Sequence, residues 1–193
     1  MVDICAQKGC NILSIGEMGI ANTSAASLWM SIFTKTPLCD CIGAGSGLNE
    51  AGIAHKNKIL TEALHHFHTQ HLPATAALAY FGGFEMVAAV GAMLRAAEQK
   101  MVILIDGFIM TASLLAATHI HKNVRHYAIF THCSEEKGHR LLLQHLSAHP
   151  LLSLGLRLGE GTGALCCYPI VESAVRMLNE MNNFDKAHIT KYF

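Results

Sequence analysis

Met101-Val102-Ile103-Leu104-Ile105-Asp106-Gly107 is the stretch whose reading decides the fold. A short apolar run closed by an acid and a glycine predicts a strand and the turn at its carboxyl end. The residues before it, Phe84 to Gln99, carry small and apolar side chains on most faces and predict a buried helix. Residues Leu114 to His119 predict another helix after it. Helix, strand, polar turn and helix in that order point to a parallel sheet covered by helices.

The same grammar extends outward in both directions. Toward the N-terminus, Asn11 to Ile15 reads as a strand turning at Gly16, and Thr23 to Phe33 as a helix with Asn22 or Thr23 as N-cap. Leu38 to Ile42 reads as a second short strand, ended by Gly43-Ala44-Gly45-Ser46-Gly47, and Asn49 to Phe67 as a helix. Pro73 opens a short segment that ends at Gly82-Gly83. Toward the C-terminus, Tyr127 to Phe130 predicts a strand followed by polar Thr131-His132-Cys133-Ser134, and Gly138 to Leu146 a helix. Leu151 to Leu158 leads into Gly159-Glu160-Gly161-Thr162-Gly163, and Ala164 to Met181 predicts a last long helix. Four strand–turn–helix repeats predict an α/β fold, a parallel Rossmann-like sheet with helices on both faces plus C-terminal helical elements. We expect a main α/β domain over residues 1–150 and a C-terminal motif loop and long helix over residues 151–193.

Composition narrows the function classes. The chain has 193 residues, 51% hydrophobic and 15% charged, against about 25% charged in an average domain. It therefore has much to bury, in a helix-covered sheet or a subunit interface. Lys+Arg and Asp+Glu balance at 14 each, and no basic stretch reads as a nucleic-acid footprint. No apolar run approaches the roughly 20 residues of a membrane span. The N-terminus, Met-Val-Asp-Ile-Cys, lacks the basic and apolar regions of a secretory signal. Seven irregularly spaced cysteines predict reduced, mostly buried cytosolic thiols. His65, His66, His68 and His71 lack a carboxylate or cysteine to complete a ligand set, and read as a solvated helix end with no metal.

Two segments share one chemistry. Gly16-Glu17-Met18-Gly19-Ile20-Ala21-Asn22-Thr23 and Gly159-Glu160-Gly161-Thr162-Gly163 each set a carboxylate among glycines at a helix start. Glycine admits close backbone approach, and first-turn N–H groups hold anions. The carboxylate suits a general base or a ligand for ribose hydroxyls; it equally suits a helix-start acid favoured by the macrodipole. Gly43 to Gly47 is a third such loop, with Lys56 on the helix that follows.

In wording and order these segments go further. Residues 16–23, Ala-Gly-Ser-Gly-Leu-Asn-Glu-Ala-Gly-Ile-Ala-His-Lys (44–56), Phe-Gly-Gly-Phe-Glu (81–85), Asp-Gly-Phe-Ile (106–109), Gly-His-Arg-Leu-Leu-Leu (138–143) and Leu-Arg-Leu-Gly-Glu-Gly-Thr-Gly-Ala (156–164) follow one another. From about Asn11 to Phe184 the chain resembles the nicotinate-nucleotide–dimethylbenzimidazole phosphoribosyltransferases, in their C-terminal part. The resemblance implies transfer of phosphoribose from nicotinate mononucleotide to 5,6-dimethylbenzimidazole, giving α-ribazole 5′-phosphate and nicotinate in cobalamin biosynthesis. It implies Glu160 as general base, Glu17 as a second acid near the ribose, and Lys56 at the nucleotide phosphate. Gly19, Asn22, Gly45 and Gly47 would shape the pocket, with Asp106, Gly107, Gly159 and Gly161 on the ligand edge. No cofactor is implied. A cytoplasmic homodimer is expected, or pairing with a complementary N-terminal chain, because family members are nearly twice as long. The alternative is a truncated homologue, or half of a split enzyme, that binds nucleotide without turnover. Ala21 and Ala44 depart from the family pattern and remove no charged group.

Overall fold

The computed structural model describes residues 1–157, 159–182 and 187; Leu158, Phe184 and the remainder of the C-terminal stretch lie outside the described residues. Helix α1 (Val2–Gln7) leads into strand β1 (Ile12–Ser14). Helices α2 (Asn22–Thr34), α3 (Leu38–Cys41), α4 (Glu50–Thr69), α5 (Ala77–Phe81) and α6 (Phe84–Glu98) follow. Strand β2 (Val102–Ile105), helix α7 (Phe108–Ile120), strand β3 (Ala128–Phe130), helix α8 (Lys137–His145) and helix α9 (Thr162–Glu180) complete the order.

The fold is α/β. The three strands pair in the order β1-β2-β3, all parallel, with Leu104 opposite both Ser14 and Ile129. Parallel neighbours need long crossovers, and helices supply them. After α8 the chain returns along the free edge of β3. Leu151 N–H donates to the Phe130 carbonyl at 3.0 Å, Leu152 N–H to Thr131 at 2.9 Å, and Glu135 N–H to Leu156 at 3.1 Å. This ladder delivers Gly159 and Glu160 to the strand ends.

Strand β2 is central and its Ile103, Leu104 and Ile105 are all buried. Successive side chains on a strand point to opposite faces, so both faces are covered. Ile103 and Ile105 join the main core with Trp29 and Met30 of α2, Met86 and Met93 of α6, and Leu114 and Leu115 of α7. The one indole N–H in that core is satisfied: Trp29 Nε1 donates to the Ala77 carbonyl at 2.9 Å.

Several expectations are corrected. Leu38 to Ile42 is not a strand: residues Leu38–Cys41 form a single helical turn after Pro37. Leu38 and Cys41, three apart, turn inward while Cys39 is exposed, which is helical rather than alternating spacing. The N-cap of α2 is Ala21, left-handed at φ 75°, and Asn22 lies inside the helix. Helix α6 is buried on one stripe only, Met86, Ala89, Val90, Met93 and Ala96, and Phe84 is exposed. The cysteines are free, but only Cys41 and Cys167 are buried; Cys10, Cys39 and Cys166 are exposed. Burial and neighbouring Asp40 push the Cys41 thiol up to about 12. Helix α7 begins at Phe108, ahead of the expected Leu114, because Gly107 caps it and takes Thr111 N–H at 2.9 Å.

If β2 is the keel of the core, Ile103→Ala lowers the unfolding free energy by about 2–5 kcal/mol. Leu154→Ala, at a side chain 56% exposed, changes it by less than about 0.5 kcal/mol. Urea titrations of the two variants against the parent check this.

Candidate active site

The turns at the carboxyl ends of the strands converge on one cavity of about 290 Å³. The turn after β1 supplies Glu17, Met18, Gly19 and Ile20; the turn after β2 supplies Asp106 and Gly107, and the first turn of α7 supplies Phe108 to Met110. Ser134, Glu135 and Glu136 follow β3, Ala44 to Ser46 come from the second glycine loop, and Arg157, Gly159 and Glu160 from the returning chain. Ligands bind at this edge in open α/β sheets.

The two acidic loops are in direct contact. Glu160 N–H donates to the Glu17 carbonyl at 3.0 Å. The approach depends on glycine: a Cβ on Gly16 would overlap the Glu160 carbonyl carbon and the Gly161 nitrogen. Glu160 itself is left-handed at φ 67°, next to Gly161 at φ 82°. A non-glycine residue held there stores about 1–3 kcal/mol of strain, which persists only where its surroundings over-determine it.

What over-determines it is Asp106. This carboxylate is buried and accepts Gly161 N–H and Ala164 N–H, each at 3.2 Å. It thereby caps α9 and anchors the turn that carries Glu160. His132 lies behind it with Nδ1 3.9 Å from Asp106, and Gly163 is required there, since a Cβ would collide with that imidazole.

Glu17 is fixed just as firmly. Its Oε2 accepts Gly19 N–H at 2.8 Å and the Asn22 side-chain amide at 2.5 Å. Lys56 reaches the wall from behind: Nζ donates to Thr23 Oγ1 at 3.0 Å and the Gly43 carbonyl at 3.4 Å. Burial lowers its pKa, and Glu136 acts in the opposite direction.

Of the residues singled out in the sequence, Glu17, Gly19, Gly45, Asp106, Gly107, Gly159 and Glu160 line the cavity. Asn22, Gly47, Lys56 and Gly161 do not; Asn22 and Gly161 act on Glu17 and Asp106 instead. Sequence reasoning missed Ser134, Glu135, Glu136, Arg157 and the apolar lip of Met18 and Ile20. Their signal was position: each stands in a turn just beyond an apolar run, or inside a glycine motif. His65, His66, His68 and His71 are exposed and distant from these turns in sequence.

A family model described as phosphoribosyltransferase matches residues 1–189. A nicotinate-nucleotide–dimethylbenzimidazole phosphoribosyltransferase from Bacteroides fragilis is 59% identical over 189 residues, which are 98% of this chain and 54% of that relative. One of the same name from Parabacteroides distasonis is 53% identical, covering 100% of this chain and 56% of the relative. The crystal structure of CobT from Thermus thermophilus superposes with a TM-score of 0.90 at 34% identity, over 98% of this chain and 56% of that one. The chain thus spans about half the length of the relatives it matches.

Two outcomes follow from this geometry. Gly16→Ala lowers the unfolding free energy by about 1–3 kcal/mol through overpacking against Glu160. Gly91→Ala, where the added methyl meets nothing within 4 Å, raises it by about 0.5–1 kcal/mol. Calorimetric melting of both variants decides. Separately, burial pushes the His139 imidazole from 6.5 down to about 3, with His132 adding to the shift. The unfolded chain therefore binds a proton that the fold refuses, and stability present above pH 6.5 is lost as pH falls toward 3. Denaturant titrations at stepped pH should show a steeper loss for the parent than for His139→Leu.

Proposed function

This chain belongs to the phosphoribosyltransferase family of those relatives, and on that premise we propose that it transfers phosphoribose from nicotinate mononucleotide to 5,6-dimethylbenzimidazole. The products are α-ribazole 5′-phosphate and nicotinate. One observation carries the reading: Glu160 N–H bonded to the Glu17 carbonyl sets both acids over one cavity.

The chemistry asks little of the departing group. Nicotinate leaves a pyridinium glycoside with the C1′–N bonding electrons and needs no proton. The attacking benzimidazole nitrogen forms the new bond to C1′, and the other ring nitrogen must then lose its proton. Glu160, exposed at the pocket mouth, is the acceptor for that proton. Glu17, held by Gly19 and Asn22, is placed to oppose positive charge building at C1′. Met18 and Ile20 offer an apolar lip for the flat base. Lys56, behind Thr23 and Gly45, and Arg157 supply the cationic side for phosphate.

The same reading keeps residues 151–193 as an appendage that carries the general base and the last helix. It places the reaction in the cytoplasm, where phosphorylated nucleotides are retained by their charge. It also calls for a partner, a second copy or a complementary N-terminal chain. Leu165, Tyr168, Val175 and Leu178 on α9 are exposed and apolar, which supports such a surface. Among the described residues no helix is long and apolar enough to cross a membrane.

Chromatographic measurement of nicotinate release from nicotinate mononucleotide and dimethylbenzimidazole tests the proposal. Glu160→Gln should lower the rate by about 100- to 10,000-fold, the range of general-base contributions, with unchanged melting. An unaltered rate removes Glu160 as the base. Calorimetric nucleotide binding by the parent without any release would leave a binding module in place of an enzyme.

A further inference from the structure

Behind the pocket lies a buried imidazole that the reaction scheme does not use. His139, on α8, is fully buried. Its Nδ1 accepts Ser134 N–H at 3.0 Å and lies 2.8 Å from Ser134 Oγ. Its Nε2 lies 3.0 Å from Thr111 Oγ1. Thr111 Oγ1 in turn donates to the Gly107 carbonyl at 2.9 Å.

The direction of every hydrogen in this chain is forced. A backbone N–H can only donate, so Nδ1 is an acceptor and the ring proton sits on Nε2. Nε2–H therefore donates to Thr111 Oγ1, whose own hydrogen goes to Gly107. Protonation would set a second N–H against the Ser134 amide, and burial resists it. Ser134 offers Nδ1 two donors where one lone pair is available. Since Nδ1 carries no hydrogen, the hydroxyl 2.8 Å away also directs its hydrogen to it, and Ser134 is tied to the ring by both its groups.

The two ends of this relay are the two walls of the pocket. Ser134 belongs to the loop after β3, and Gly107 opens the turn after β2; both line the cavity. We propose that His139 is a positioning residue that locks these two strand-end turns into one preformed surface for the ligand. The consequence for the ligand rests on the cavity being the nucleotide site proposed above; the relay does not.

Three substitutions separate the arms. In His139→Asn the amide oxygen falls near the position of Nδ1 and keeps the Ser134 arm. In His139→Gln the amide nitrogen falls near Nε2 and keeps the Thr111 arm. His139→Leu fills the space and keeps neither. Amide hydrogen exchange at Ser134, followed by NMR, should be slow in the parent and in His139→Asn, and faster in the Gln and Leu variants. Long-range imidazole nitrogen spectra of the parent should show the Nε2–H tautomer. Nicotinate mononucleotide affinity by calorimetry should weaken about tenfold in Gln and Leu, the size of one hydrogen bond lost, and be largely kept in Asn. Equal affinities across the series, or losses that only track melting temperature, overturn the proposal. Should the parent bind no nucleotide, the functional reading fails while the relay is still decided: an Nδ1–H tautomer, or Ser134 exchange unaffected by His139→Gln, overturns it.

Discussion

The structure depends on two backbones being allowed to touch. The loop after β1 and the loop before α9, about 140 residues apart in the chain, meet through Glu160 N–H and the Glu17 carbonyl. Only glycine at position 16 leaves room for that meeting. A β-carbon there would push the loops apart by more than a hydrogen bond tolerates. The whole crossover architecture can be seen as the means of bringing these loops to one edge. The parallel sheet aligns three carboxyl ends, and the returning segment 151–156, laddered onto β3, carries the fourth loop back to them.

Rigidity at that edge is built from buried polar groups rather than from apolar packing. Asp106 spends its carboxylate on two N–H groups of α9, and His139 bridges Ser134 to Thr111. Such networks stabilise only when nearly every partner is satisfied. Asp106 and His139 are paired, while Asn22 Oδ1 and His132 Nε2 beside them are buried without a partner; the paired groups specify geometry that apolar contacts, being non-directional, do not set. The left-handed Glu160 is the strained element these networks hold in place.

How far all this was legible in the sequence depends on the range of the forces involved. The strands over Asn11–Ile15, Met101–Ile105 and Tyr127–Phe130 announce themselves, because a buried strand needs only a local apolar run and a turn. Leu38-Cys39-Asp40-Cys41 misled, since four residues are too few to tell a period of two from one of 3.6. Glu17, Glu160, Gly19, Gly45, Asp106, Gly107 and Gly159 were picked out by their glycine-rich strand ends, and all line one cavity. Asn22 belongs to the same turn as Gly19 but is outside the cavity lining, and its amide donates to Glu17, which no spacing rule distinguishes from facing a ligand. His139 was invisible as a functional residue. Its partners Ser134 and Thr111 lie 5 and 28 positions away, and only the packing of α7 against α8 brings them to one ring.

The two acids differ in a way that fits a division of labour. Glu17 has one carboxylate oxygen already engaged by two donors, a backbone N–H and the Asn22 amide. Those two donors hold the oxygen in one orientation, which in the proposed reaction suits a group kept still beside the reacting sugar. Glu160 is tethered by its backbone, while its side chain is exposed at the cavity mouth, open to an incoming ligand. In the proposed transfer the pyridinium leaving group departs without an acid on the opposite side. One immobilised carboxylate and one accessible carboxylate at a single edge are therefore the arrangement that the proposed transfer between two nitrogen heterocycles calls for.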